Sequence, residues 1–95
     1  MPDRQPLVAG NWKLNGSRAG NRALVLAVAD GLARQAAALE VLLCPPFVYL
    51  AELAALAADL GLAIGAQDVS AEATGAFTGE VSAAMLRDVG CRYVI

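Results

Sequence analysis

Histidine is absent from the 95 residues, lysine occurs once and cysteine twice. Without histidine the chain lacks the commonest general acid and base, and with no CxxC pair either, the sequence argues against a zinc centre. Cys44 and Cys91 both sit in apolar runs. Two cysteines are too few for a disulfide scaffold, so they read as buried free thiols. Aromatic residues make up only 5% of the chain, and Trp12 and Phe47 read as packing groups rather than ligand platforms. The six arginines and single lysine never form a run, and net charge is −2 with a pI near 4.8. That excludes the clustered basic face of a nucleic-acid binder. Apolar runs are interrupted by Glu40, Glu52 and Asp59 well before the roughly 18 residues a membrane span needs. The start, Met1-Pro2-Asp3-Arg4, lacks the charged-then-apolar layout of a signal peptide. The expectation is a cytoplasmic protein with neither membrane nor nucleic acid as partner. The phosphate-loop pattern GxxxxGK[ST] is missing as well.

What is abundant is apolar: 58% of residues are hydrophobic, and mean hydropathy is +0.54. Small domains bury a smaller share of their surface than large ones, so so apolar a short chain is expected to be part of something larger. The apolar residues are ordered. Pro6–Gly10 reads as a short buried strand, and Ser17 as the N-cap of a helix over Arg18–Ala37, with Leu24, Val25, Val28 and Leu32 at helical spacing. Glu40–Cys44 is a second strand, stopped by Pro45-Pro46. A helix over Phe47–Leu60 follows, carrying Leu50, Leu53, Ala57 and Leu60 on one face and closed by Gly61. Leu62–Ala66 is a third strand. After a long glycine-bearing loop, Gln67–Gly79, a third helix is predicted over Glu80–Val89, with Val81, Met85, Leu86 and Val89 inward, Thr78 as a cap and Gly90 as its stop. Cys91–Ile95 is a fourth strand.

The order βαβαβαβ, with short apolar strands and intervening helices, predicts four adjacent parallel strands with right-handed crossovers. They centre near Val8, Leu42, Ile64 and Val94. The architecture this suits is the first part of a closed (β/α)8 barrel. In such folds function collects at the C-terminal ends of strands. Those ends hold Asn11 to Asn15, Pro45 to Phe47 and the Gln67–Gly79 loop. Lys13 is a compact cation able to reach a phosphate or an oxyanion, and Asn11 carries an amide donor and acceptor. On spacing alone an exposed lysine beside a turn asparagine is the better reading of both. Glu80 reads as a first-turn helix acid rather than a base, and Gln67 and Asp68 as turn formers. The thirteen-residue loop exceeds the usual βα connection and carries Phe77 near its tip, the pattern of a segment that inserts into a partner.

The stretches "AGNWKLN", "CPPFVYL", "GAQDVS", "TGAFTGEVSAAML" and "GCRYVI" occur in this order at strand ends. Together they resemble the triosephosphate isomerase family from Pro6 to Ile95. The resemblance implies a (β/α)8 TIM barrel, of which residues 1–95 are the N-terminal half of a single domain. It implies an aldose–ketose isomerase that interconverts glyceraldehyde 3-phosphate and dihydroxyacetone phosphate through an enediolate, with no cofactor and no metal. It assigns Lys13 to the substrate phosphate and to the charge of the enediolate, and Asn11 to substrate binding. It makes the Gln67–Gly79 loop the arm of a homodimer, with Gly75, Phe77, Thr78 and Glu80 docking beside the neighbour's Leu14 and Asn15. Family members commonly carry Met where Leu14 stands, an apolar exchange that should be tolerated. The family's catalytic His and Glu match no residue here, so the 95 residues alone are expected to be inactive. The alternative is a non-catalytic fragment that serves only as an association piece of the barrel. An unrelated α/β binding module sharing these patterns is the third reading.

Overall fold

A computed structural model describes residues 4–36 and 38–95. Its elements are β1 (Leu7–Asn11), α1 (Arg18–Ala33), β2 (Glu40–Cys44), a 3-10 turn (Phe47–Tyr49) leading into α2 (Leu50–Ala58), β3 (Ala63–Ala66), α3 (Ala83–Asp88) and β4 (Tyr93–Val94). The four strands form one sheet in the order β1-β2-β3-β4, and every neighbouring pair is parallel. Neighbouring strands therefore share a direction, and their C-terminal ends lie along one rim.

The side-chain alternation of the strands separates two apolar clusters. Leu43, Ile64 and Ala66 face the helices and pack with Val25 of α1, Leu50, Leu53, Ala54 and Ala57 of α2, and Leu86 of α3. Leu42, Cys44 and Ala63 face the other way and meet Tyr93. Tyr93 also donates its hydroxyl to Glu40 Oε1 at 2.8 Å, which links the starts of β2 and β4 on that face. This hydrogen bond is the main reason the Tyr93 hydroxyl titrates above its ordinary range. Burial pushes both thiols up as well, so neither Cys44 nor Cys91 is an activated nucleophile.

Gly65, paired with Tyr93, sits where the sheet leaves no room for a side chain. A Cβ at this position would stand 2.9 Å from the Tyr93 carbonyl oxygen, 3.0 Å from Leu42 and 3.1 Å from Cys44 Sγ. Two of these neighbours belong to the sheet's packed face and the third is backbone, so none yields cheaply. Gly65→Ala is expected to destabilise an intact barrel by about 1–3 kcal/mol, the usual cost of overpacking, measured as a lower urea midpoint with unchanged slope.

Several boundaries differ from the sequence reading, each for a local reason. β1 runs from Leu7 to Asn11 rather than Pro6 to Gly10, because Pro6 has no N–H and contributes only its carbonyl, to Glu40 N–H at 2.8 Å. Helix α1 is seen to Ala33; its predicted last residue, Ala37, lies outside the described residues. Its buried stripe runs through Asn21 and Val25 to the half-buried Val28 and Leu32, which leaves Leu24 46% exposed one step round the helix. The second helix opens as a 3-10 turn, closed by Tyr49 N–H to Pro46 carbonyl, before becoming α-helical at Leu50.

The third helix starts at Ala83, not Glu80. Thr78 and Gly79 form a turn with Gly79 at φ 89, closed by Glu80 N–H to the Phe77 carbonyl at 3.0 Å. The cap is Ser82, whose hydroxyl accepts Met85 N–H at 3.2 Å. Glu80 is therefore not a first-turn acid, Thr78 is not the cap, and Met85 is exposed rather than inward. The fourth strand narrows to Tyr93–Val94. Its ladder extends one residue each way, through Arg92 N–H to Ile64 carbonyl and Ile95 N–H to Ala66 carbonyl.

Candidate active site

The rim at the C-terminal strand ends gathers the residues singled out above. Asn11 is the last residue of β1, in register with Cys44 at the end of β2. One residue on, Trp12 N–H still reaches the Cys44 carbonyl at 3.1 Å, so the ladder carries the chain to the threshold of Lys13. There the backbone turns. Lys13 has φ 57 and is the only non-glycine residue with positive φ among those described. A side-chain-bearing residue adopts this conformation only when its surroundings hold it there.

Side chains supply the hold. Lys13 N–H donates to Asn11 Oδ1 at 3.0 Å, and Asn15 Nδ2 donates to the Trp12 carbonyl at 2.8 Å. From the end of β3, Gln67 Nε2 donates to the Lys13 carbonyl at 2.9 Å and to the Cys44 carbonyl at 2.8 Å. Further along, Tyr49 O–H donates to the Gly16 carbonyl at 3.3 Å. Gly16 itself sits at φ 137, where a Cβ would meet Asn21 Oδ1 at 2.8 Å. Helix α1 then begins under the Ser17 cap, whose hydroxyl accepts Gly20 N–H at 3.1 Å.

Two chemical consequences follow. The acceptor oxygen of Asn11 is committed to Lys13, which leaves its amide nitrogen as the group able to donate outward. Lys13 is exposed and forms no salt bridge among the described residues, whose ion pairs join Arg18 to Glu52 and Arg34 to Asp30. Its ammonium is thus uncommitted, on a backbone that is not. A site with one oriented amide donor and one free cation on a held backbone suits an anionic, oxygen-rich small molecule. Among the described residues, no cluster of His, Cys, Asp or Glu could hold a metal ion, and no helix is long and apolar enough to cross a membrane.

Beyond Gln67, the long loop makes no side-chain hydrogen bond to this cluster among the described residues. Ser70 N–H to Val81 carbonyl, at 2.8 Å, pins its two arms together, so the predicted loop runs on to Ser82. Near the tip the Phe77 ring folds over Gly75, whose φ of 133 and missing Cβ make room; a Cβ there would lie 2.7 Å from the ring. Gly75, Phe77, Thr78 and Glu80 are all exposed. No side-chain hydrogen bond or ion pair among the described residues joins them to Asn11, Lys13, Leu14 or Asn15. Leu14 is 96% exposed on its own loop, and Val48, after β2, is 83% exposed. Sequence reasoning passed over Val48 and Tyr49. It also took Gln67 for a turn former; its place directly after a buried strand was the available signal.

Comparison with known proteins gives a consistent outcome. The family model described as triosephosphate isomerase matches residues 6–95. Among curated proteins, the triosephosphate isomerase of Alcanivorax borkumensis is 56% identical over 94 residues, covering 98% of this chain and 36% of that protein. That of Magnetococcus marinus is 48% identical over 92 residues, covering 97% and 36%. Among solved structures, the crystal structure of triosephosphate isomerase from Bartonella henselae superposes with a TM-score of 0.85 at 31% identity, over 96% of this chain and 37% of that one. The chain thus spans about a third of the length of the relatives it matches, and its four parallel strands and three helices are a fragment of their barrel.

Proposed function

Because the chain belongs to the triosephosphate isomerase family, we propose that it forms the N-terminal part of an intact barrel that interconverts D-glyceraldehyde 3-phosphate and dihydroxyacetone phosphate. The observation that carries this reading is Lys13: an uncommitted cation at the C-terminal end of β1, on a left-handed backbone held by Asn11 and Gln67. In the proposed reaction a proton moves between adjacent carbons of the substrate through an enediolate. The Lys13 ammonium binds the phosphate and opposes the negative charge that develops on the reacting oxygen. Asn11 donates its amide N–H to the substrate. Neither group transfers the carbon-bound proton. The chain has no histidine and none of its carboxylates matches the family's base, so both the base and its electrophilic partner are proposed to come from the remaining segment of the barrel.

The intact barrel is proposed to act as a homodimer. The Gln67–Gly79 arm of each subunit, extended by Glu80, presents Phe77 and Thr78 to the partner's Leu14 and Asn15. The exposure of Leu14 and Phe77, both apolar and both on rim loops, supports this reading. Val48 joins the receiving surface on the same ground.

The test joins residues 1–95 to the remaining segment of the Alcanivorax borkumensis relative. Steady-state isomerisation of D-glyceraldehyde 3-phosphate is expected from the joined barrel and none above background from the 95 residues alone. Turnover by the short chain, purified free of host enzyme, would show that its own carboxylates carry the proton. A folded joined barrel without turnover would favour the purely structural reading.

A further inference from the structure

This inference rests on the isomerase reading and concerns what stands behind Lys13. The Lys13 carbonyl lies past the end of the β1–β2 ladder, so no strand partner fixes it. Its hydrogen bond comes instead from a residue 54 positions away, Gln67. The carboxamide nitrogen of Gln67 has two hydrogens, and both are used: one on the Lys13 carbonyl at 2.9 Å, the other on the Cys44 carbonyl at 2.8 Å. The Cys44 carbonyl also accepts Trp12 N–H at 3.1 Å. One side chain from the end of β3 therefore spans the ends of β1 and β2. Together with the bond from Lys13 N–H to Asn11 Oδ1, it holds the Lys13 residue from both its N–H and its carbonyl.

We propose that Gln67 is a positioning residue for the isomerisation, acting through Lys13: its amide holds the Lys13 backbone in the left-handed turn that directs the ammonium at the substrate. A return of Lys13 to negative φ reorients both the Cα–Cβ bond and the carbonyl. It would break the exposed bond from Gln67 Nε2 to the Lys13 carbonyl, while the part-buried bond to the Cys44 carbonyl keeps the Gln67 amide in place. The strained turn and the clamp therefore support one another. The Gln67 side chain is too remote in role to bind phosphate itself, since both its N–H groups are already committed to main-chain oxygens.

Gln67→Met, of similar length but without donors, tests this in the joined barrel. The expected results are a Lys13 φ that has left the positive region in the crystal structure and a kcat/KM lowered about tenfold or more. In addition, Gln67→Met placed on top of Lys13→Met is expected to cause no further loss, because Gln67 acts only through Lys13. A positive φ retained at Lys13 in Gln67→Met, or an equal further loss in the Lys13→Met background, would overturn the proposal. Should Gln67→Met not fold, Gln67→Asn keeps the amide but is one methylene short. Intermediate kcat/KM supports the clamp and full kcat/KM overturns it. If the unsubstituted joined barrel proves inactive, the isomerase reading falls, and the φ of Lys13 in the variant crystal decides the clamp by itself.

Discussion

Lys13→Met in the joined barrel is expected to retain the fold and lose at least about a hundredfold in kcat/KM, roughly 3 kcal/mol or more of transition-state stabilisation. The fold should persist because Lys13 is exposed and its side chain makes no hydrogen bond or salt bridge among the described residues. Its structural contribution is through backbone atoms, which Met also possesses. The activity should fall because the ammonium is the only lysine cation in the chain, and no arginine lies among the residues of that rim loop, 11–15. Lys13→Arg should be poorly active too: a planar, forked guanidinium at the end of a longer arm does not occupy the place of a compact ammonium. Steady-state kinetics with circular dichroism as the folding control checks both. Near-normal kcat and KM in a well-folded Lys13→Met would make it an ordinary surface lysine.

Deletion of Ala73 to Ala76 from the joined barrel should convert dimers to monomers. The deletion removes the Gly75 position over which Phe77 folds, and with it the shape of the tip that presents Phe77 and Thr78. It leaves the Ser70–Val81 bond at the base of the arm in place, so the loss is confined to the projecting part. Sedimentation velocity at low protein concentration reads the outcome. Dimers unchanged in mass would show that another surface holds the subunits together.

The parallel architecture was legible because two periodicities coincide. Strand runs such as Val41–Cys44, after Glu40, are continuously apolar, as strands covered on both faces are, and glycine or proline punctuates the helices between them. Helix starts were less legible where two capping signals compete. Thr78-Gly79-Glu80 reads as a cap and a first turn, yet Gly79 takes positive φ and Ser82, buried at 6% exposure, caps instead. Local propensity does not reveal that Val81 is already committed to Ser70 across the loop. Burial was read too broadly at Leu24 and Met85, since a helix face is narrower than its count of apolar residues.

At the candidate site, position at a strand end singled out Asn11 and Lys13, but only the family resemblance gave them roles. The left-handed backbone of Lys13 was not legible, because no sequence rule places a lysine there. Gln67 escaped for the same reason: its partners are main-chain oxygens of Lys13 and Cys44, distant in sequence and without side-chain signature.

The most direct measurement is a crystal structure of the joined barrel soaked with dihydroxyacetone phosphate. The expected result places Lys13 Nζ about 2.7–2.9 Å from an oxygen of the phosphate, the distance of a charge-assisted hydrogen bond, with the substrate's reacting oxygen also within its reach and Lys13 still at positive φ. A phosphate bound on the rim with the Lys13 ammonium turned away into solvent would contradict the role assigned to it.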